Sequence, residues 1–397
     1  MAKTKKWLKF RHKVIRNVAY YVLYPYARLK YGIEITKFKE QEDRPYLILL
    51  NHQTPFDQFF VGMAFKGPVY YVSTEDIFSL GFLSNIIRYI VAPIPIRKQT
   101  TDVRAVMTCL KVAKEGGTIC MAPEGNRTYS GKTEYMNPAV APLVKKLKLP
   151  VVLFRIEGGY GAEPRWSDVV RKGKMKAYVS RVVSPEEYAT LSDEQLYDII
   201  KDGLYVNEAV ADNEYPHKKC AQYLERAVYV CPFCGLSSFE SHNNTVRCKH
   251  CDAQIIYTSK KELKGINCNF PFNFVNDWYE YQEDFINKLD LNQYNELPAY
   301  TELAQVREVI VFKKKNLIHK DAEICLFGDR ISIADKVFAF DDIHAVTVLG
   351  KNKLNIYIND EVYQLKGSKR FNALKYVHFF YRYKNIKSGK EEVFLGI

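Results

Sequence analysis

The sequence lacks a hydrophobic run long enough to cross a bilayer. The longest apolar stretch near the amino terminus, residues 18–27, covers about half of a membrane span and is interrupted by Pro25. A secretory signal peptide is also missing, because this stretch is rich in tyrosine and no small-residue cleavage site follows it. We therefore expect a cytoplasmic protein that meets a membrane only peripherally, at its inner face.

Acidic residues are scarce at the amino terminus. Residues 1–40 hold eleven Lys or Arg and only two acids, so most of the net charge of +13 lies there. Aromatic residues such as Trp7, Phe10 and Tyr21 are interleaved with these cations. A basic amphipathic segment of this kind suits a phospholipid membrane surface, where aromatic rings lie at headgroup depth. The alternative is a solvated helix that packs on its own domain.

Internal repeats and low-complexity linkers are absent from the 397 residues. Between residues 41 and 205, continuous apolar runs alternate with helical patterns, which is typical of an α/β domain with a mostly buried sheet and flanking helices. From about residue 306, strand-like alternation takes over. The expected segments are a basic amphipathic segment (1–40), the α/β domain (41–205), a helical connector (206–227), a cysteine module with an aromatic helical segment (228–297) and a mostly-β domain (298–397).

The stretch from Asn51 to Asp57 carries the clearest chemical signal. It follows an apolar strand and places His52 in the next loop, which is the end of an α/β sheet where sites form. Thr54 is expected to cap a helix that begins at Pro55, with Asp57 in its first turn. A carboxylate there can keep one imidazole nitrogen protonated and leave the other free to accept a proton from an alcohol. The alternative is a capping box in which Asp57 only stabilises the helix.

A second polar stretch, residues 122–128, follows another apolar strand. Gly125 permits an unusual backbone conformation or the close approach of a ligand. Arg127 offers a planar fork of donors for phosphate, and Glu124 adds a polar group at the strand end. The alternative is an ordinary surface turn.

With these stretches in order, the sequence resembles the glycerolipid acyltransferases typified by 1-acyl-sn-glycerol-3-phosphate acyltransferase. The family has four motifs: Asn-His followed by four residues and Asp, an apolar stretch ending in a basic residue, Phe-Pro-Glu-Gly-Thr-Arg-Ser, and an apolar run containing proline. The corresponding residues here are 51–57, 93–97, 122–128 and 149–152, so the resemblance covers about half of the chain. The chain departs from the third motif at Ala122, Asn126 and Thr128, which leaves the acceptor head group open.

The resemblance implies an enzyme that moves a fatty acyl group from acyl-CoA or acyl carrier protein to the free hydroxyl of a lysophospholipid. The expected acceptor is 1-acyl-glycerol-3-phosphate. His52 is implied to act as the general base, with Asp57 orienting it. The residues implied to bind the phosphate-glycerol head of the acceptor are Arg97, Glu124, Gly125 and Arg127.

Four of the nine cysteines form two C-x₂-C pairs separated by thirteen residues. The pairs are Cys231 with Cys234 and Cys248 with Cys251, a spacing at which four thiolates can surround Zn²⁺ tetrahedrally. The sequence therefore predicts a zinc ribbon whose zinc is structural, because all four coordination positions are filled. The alternatives are a redox pair or an iron site, both less favoured beside a complete second pair of cysteines. The remaining cysteines are scattered and are interpreted as reduced thiols.

The alternating strands after residue 306 are followed by one helical stretch, and this arrangement resembles the pleckstrin-homology-like superfamily, including its GRAM-type members. The resemblance implies a domain that binds lipid head groups or protein. A second functional class follows from the zinc ribbon and this β domain: a non-enzymatic adaptor recruited to a membrane or to nucleic acid. Nucleic acid is the less favoured partner, since no stretch has the aromatic pattern of a nucleic-acid channel.

Overall fold

A computed structural model describes residues 6–42, 44–96, 102–310, 313–359, 361–389 and 395–396. The chain divides into two compact units. The first contains Met1–Pro164 and Val170–Glu208, and the second contains Arg165–Val169 and Ala209–Ile397. Each unit has its own sheets and its own buried core.

The first unit is built on a mostly parallel sheet. Its strands are β1 (Ile33–Ile35), β2 (Leu47–Leu50), β3 (Val69–Thr74), β4 (Ile94–Ile96), β5 (Thr118–Met121), β6 (Val151–Glu157) and β7 (Met175–Val183). They are ordered β1-β7-β6-β2-β5-β3-β4, and β6 pairs antiparallel with β7, whereas the other pairings in this sheet are parallel. Strand β2 lies between β5 and β6, and all of its residues are buried, as expected for a strand that is apolar on both faces.

Helices precede, connect and follow these strands. They are α1 (Phe10–Tyr31), α2 (Asp57–Ala64), α3 (Phe82–Val91), α4 (Val103–Lys114), α5 (Val140–Leu147), α6 (Gly159–Ala162), α7 (Pro185–Ala189) and α8 (Asp193–Leu204). Helices α4, α5 and α8 bury apolar stripes at helical spacing, for example Ala105, Cys109 and Val112 on α4, against the core that contains β2, β5 and β6. The α/β architecture predicted for this half of the chain is confirmed.

The second unit begins with short antiparallel strands and one helix. These are β8 (Val230–Cys231), β9 (Gly235–Leu236), β10 (Phe239–His242), β11 (Thr245–Cys248), β12 (Gln254–Tyr257), β13 (Leu263–Gly265) and α9 (Val275–Lys288). Strands β10 to β13 form a sheet in sequence order, and β8 pairs with β9. Residues 165–169 also belong to this unit, where Trp166 is buried against the ring of Tyr257 and Arg226 donates hydrogen bonds to Asp168.

The carboxyl-terminal part of the second unit is mostly β, as predicted. Its strands are β14 (Tyr300–Glu308), β15 (Asn316–Leu326), β16 (Arg330–Ile333), β17 (Lys336–Ala339), β18 (Ile343–Leu349), β19 (Lys353–Ile358) and β20 (Glu361–Gly367), followed by α10 (Leu374–Ser388). The strand order is β17-β16-β15-β14-β20-β19-β18, so two antiparallel meanders join where β14 pairs with β20. The resemblance to pleckstrin-homology-like domains stays a prediction.

The connector expected to be helical at 206–227 is not a helix. Apart from a 3₁₀ turn at Leu224–Arg226, it consists of turns and irregular backbone. The reason is tertiary: Tyr215 N donates to Ser259 O, and Ala221 N donates to Asn243 O, so backbone donors are used by distant loops instead of by the next helical turn.

Candidate functional site

The loop after β2 is fixed to the neighbouring strand β6 by a side chain. The amide of Asn51 donates from Nδ2 to Ile156 O over 2.8 Å, and its Oδ1 accepts from Ile156 N over 2.7 Å. The side chain thus continues the hydrogen-bonding pattern of the sheet one residue beyond the strand. This anchor sets where the next residue, His52, leaves the carboxyl end of the sheet.

His52 and Asp57 form a hydrogen-bonded pair in this loop. Nδ1 of His52 lies 2.8 Å from Oδ2 of Asp57, and the side chains are 28% and 1% exposed, respectively. An acceptor at Nδ1 assigns the proton to that nitrogen, so the lone pair is on Nε2. Among the described residues Nε2 of His52 has no hydrogen-bond partner. The partly exposed imidazole can therefore accept a proton at Nε2.

The Asp57 carboxylate organises the whole loop. Its oxygens accept from Gln53 N at 2.7 Å, from Thr54 N at 2.9 and 3.0 Å, and from Thr54 Oγ1 at 2.7 Å. Helix α2 begins at Asp57 itself, not at Pro55 as expected, because Thr54 donates its hydroxyl to the carboxylate and residues 54–56 form turns. The predicted cap at Thr54 is therefore wrong, since Phe56 is the N-cap, and the Asp57 carboxylate contacts both the backbone of the loop and His52.

Glu124 holds the same loop from β5. Its Oε1 accepts from the backbone N–H of His52 at 2.9 Å, and its Oε2 accepts from Glu134 N at 3.3 Å. The side chain is buried, and burial raises the pKa of this carboxyl to about 8. Because both of its oxygens accept from backbone N–H groups, Glu124 is better placed to hold the His52 loop than to contact a head group, which was the expectation from sequence.

Glu134 is a polar group of this region that the motifs did not indicate. Its Oε1 accepts from Thr128 Oγ1 at 2.9 Å and from Ser130 Oγ at 2.8 Å, so it organises the loop that follows Glu124. A carboxylate ten residues beyond Glu124 is not a recognisable spacing. The signal available was the pair of short hydroxyl side chains at Thr128 and Ser130, which need acceptors when buried.

Gly125 and Arg127 lie in the loop after β5. Gly125 has φ +68°, and a Cβ there would meet nothing within 4 Å, so glycine is required by backbone conformation and not by space. Arg127 is 8% exposed. Arg97 lies outside the described residues. The structure thus links His52, Asp57 and Glu124 directly, with Gly125 and Arg127 in the segment adjoining Glu124.

Gln53 and Gly159 are further residues of the site that sequence reasoning missed. The Gln53 side chain accepts from Tyr160 N at 3.1 Å, and a Cβ on Gly159 would lie 2.5 Å from Gln53 Cβ. Helix α6 therefore packs directly on the His52 loop only because residue 159 is glycine. A lone Gly-Gly pair after a strand did not reveal this contact 106 positions away.

The four predicted metal ligands come together in the second unit. The Sγ atoms of Cys231, Cys234, Cys248 and Cys251 all lie within 4.8 Å of one another, with the Cys231–Cys251 and Cys234–Cys248 pairs at 3.6 Å. Four sulfurs bound tetrahedrally at about 2.3 Å from Zn²⁺ are roughly 3.8 Å apart. The donor set and its spacing therefore fit a zinc ion, and the zinc itself stays a prediction.

The chain was compared with known proteins. Residues 32–157 match the family model described as Acyltransferase. Among solved structures, the chain is similar to the 1-acyl-sn-glycerophosphate (LPA) acyltransferase PlsC from Thermotoga maritima, with 20% identity, a TM-score of 0.39, and coverage of 49% of this chain and 75% of that chain. No curated protein sequence matches the chain.

The family-model match over residues 32–157 supports the prediction of an acyltransferase-like segment in the first half of the chain. The matched segment includes His52, Asp57, Glu124 and Arg127, whereas the second unit lies outside it. Among the described helices, none has both the length and the apolar character needed to span a membrane.

Proposed function

We propose that the protein is an O-acyltransferase that moves a fatty acyl chain from a thioester to the free hydroxyl of a lysophospholipid. The observation that carries the proposal is the His52–Asp57 pair at the carboxyl end of β2, with Nδ1 bound to a buried carboxylate and Nε2 available. The acyltransferase family match over the same segment supports the reaction class.

The chemistry follows from the proton positions. Nε2 of His52 takes the proton of the acceptor hydroxyl as its oxygen attacks the thioester carbonyl carbon. The carbon–sulfur bond then breaks, and the departing thiolate takes the proton from the imidazolium. Asp57 stabilises the imidazolium in between, and Glu124 with Asn51 keeps the loop in place. Such general-base assistance is worth about 10²- to 10⁴-fold in rate.

The acceptor is proposed to carry a phosphate monoester, with 1-acyl-glycerol-3-phosphate as the first candidate. Arg127, Gly125 and Arg97 are assigned to its head, since a guanidinium matches phosphate geometry. Helix α1 supports a site of action at a membrane surface: residues 6–33 contain seven Lys or Arg and no acid, and Phe10, Tyr21 and Leu29 are 81%, 78% and 76% exposed. The four-cysteine cluster is assigned to a structural zinc.

The direct test is a thiol-release assay with the purified full chain, long-chain acyl-CoA and mixed micelles with or without lysophosphatidic acid, with the product identified by mass. Acceptor-dependent release and a diacyl product are expected, and His52→Ala should abolish both while the fold and zinc content persist. Unchanged turnover in His52→Ala would exclude His52 as the general base. If other lysolipids and acyl carrier protein also give no turnover, the adaptor hypothesis is favoured. That hypothesis predicts salt-sensitive binding of nucleic acid and no catalysis.

A further inference from the structure

Helix α3 has the reverse of the burial pattern expected for a helix of a water-facing domain. Its sequence is apolar apart from Ser84, Asn85 and Arg88, yet Ser84 is its buried residue. The large side chains point outward: Phe82 is 79% exposed, Tyr89 is 60% exposed and Leu83 is 51% exposed. A helix that packs on its own domain buries its apolar stripe and exposes its polar residues. Solvated apolar surface of this kind marks an interaction site.

Polar contacts hold α3 in this orientation at both ends. In its first turn, Ser84 Oγ donates to Ile77 O at 2.7 Å and accepts from Leu80 N at 2.8 Å. At its other end, Trp7 Nε1 donates to Ala92 O at 3.0 Å. These polar contacts orient α3 so that its apolar side chains face outward, and this orientation needs no apolar partner in the first unit.

The contacts at the end of α3 join it to the basic amino-terminal segment. Arg11 Nε donates to Tyr89 O at 3.0 Å, and its guanidinium lies 4.1 Å from the centre of the Tyr89 ring. Phe10, the residue before Arg11, is 81% exposed. Residues 77–96 contain Arg88 and no acid, and Arg11 of α1 contacts Tyr89, so cations adjoin the apolar side chains of α3 on this side of the helix.

We propose that α3 is a second membrane-contacting element, which inserts its apolar side chains into the surface layer of an anionic phospholipid membrane beside α1. Exposed aliphatic and aromatic side chains require an apolar layer, the surrounding cations require negative charge, and exposed tyrosine suits headgroup depth; an anionic lipid surface provides all three. Ten helical residues extend about 15 Å, which is suited to lying in the interface and too short to cross it. The inference extends the proposed function, yet binding is measurable without catalysis.

The test uses the full chain and sedimentation with vesicles of phosphatidylcholine alone or mixed with phosphatidylglycerol. Leu83→Gln should lower partitioning into the anionic vesicles about tenfold or more, the effect of removing one large apolar side chain from the bilayer surface. Leu303→Gln is the matched control, because Leu303 is 64% exposed on β14 of the second unit. Its partitioning should stay within about twofold of the parent protein. Equal effects of the two variants would overturn the proposal.

A second measurement locates the helix in the membrane. Phe82→Trp should be quenched by brominated acyl chains, whereas Val337→Trp, which is on an exposed position of β17, should not. Absence of quenching at residue 82 overturns insertion. Loss of self-association in Leu83→Gln with unchanged vesicle binding would instead assign α3 to contact with a second copy. His52→Ala should bind vesicles normally, so loss of turnover and loss of binding are separable.

Discussion

Replacement of Asp57 by Asn isolates the charge of the carboxylate from its shape. With the amide oxygen in the position of Oδ2, the side chain still accepts from His52 Nδ1 and Gln53 N, and the Thr54 hydroxyl can turn to accept from the new NH₂ group. The tautomer of His52 is therefore retained, whereas Thr54 N loses its acceptor at Oδ1 and keeps only the longer bond to the position of Oδ2. The negative charge beside the imidazolium that forms during the reaction is lost.

The magnitude follows from the distance. Two unit charges about 4 Å apart interact by about 4 kcal/mol at an effective dielectric constant near 20. Asp57 is buried and its Oδ2 lies 2.8 Å from the imidazole, so this value applies to the transient ion pair. We therefore expect Asp57→Asn to lower kcat/KM by roughly 10³-fold. The free energy of unfolding should fall by about 2 kcal/mol, from the lost charge at the start of α2 and from the acceptor that the buried Thr54 N loses.

The assay is a double-mutant cycle in the thiol-release reaction, with stability followed by urea unfolding. If Asp57 acts through His52, Asp57→Asn should have little further effect in a His52→Ala background. Asp193→Asn is the matched control, because Asp193 is the first residue of α8 as Asp57 is of α2, but it is 48% exposed and has no histidine beside it. Independent, multiplicative losses in the double variant, or near-normal activity of Asp57→Asn, would refute this account.

Three further predictions concern the pH dependence and the cysteine cluster. Burial raises the pKa of Glu124 from 4.5 to about 8, so between these pH values the folded first unit keeps a proton that the unfolded chain releases. The free energy of unfolding should therefore fall as pH rises from 4.5 to about 8. In urea titrations, Glu124→Gln should weaken this dependence of the unfolding free energy on pH. Burial lowers the pKa of His378 from 6.5 to about 3, so the second unit should lose stability as pH falls below 6.5. This loss of stability should be absent in His378→Gln when unfolding is followed by the fluorescence of the buried Trp278. Cys234→Ser should lower bound zinc from about one per chain towards zero and reduce the melting temperature, whereas Cys325→Ser should leave both unchanged; equal zinc in the two variants would contradict the assignment.

The position of Glu124 changes how the third motif is interpreted. The family resemblance implies that the whole motif binds the acceptor, whereas here Glu124 faces inward to the backbone of His52 and Arg127 is three residues further along the same loop. The loop after β5 therefore has two tasks in this proposal. Its glutamate keeps the general base in position, and its arginine is assigned to the substrate phosphate.

The sequence alone determined the features that depend on local spacing. His52 and Asp57 are five residues apart after a strand, so the chain brings their side chains together within one turn, and the two C-x₂-C pairs hold their sulfurs close for the same reason. Apolar runs of four to seven residues separated by amphipathic stretches were sufficient to predict the buried sheet. Where backbone donors were taken by distant partners, as in residues 206–223, the local pattern misled.

The tertiary structure alone decided which distant segments support the site and which apolar surface remains outside the core. Glu124 reaches His52, and Asn51 reaches Ile156, because β2 lies between β5 and β6 in the sheet although neither strand is its neighbour in sequence. Strand order is set by the packing of all helices and strands together, so no short motif encodes it. The same holds for α3: its composition is that of a core helix, and only its contacts at Ser84 and Tyr89 show that its apolar side chains face outward.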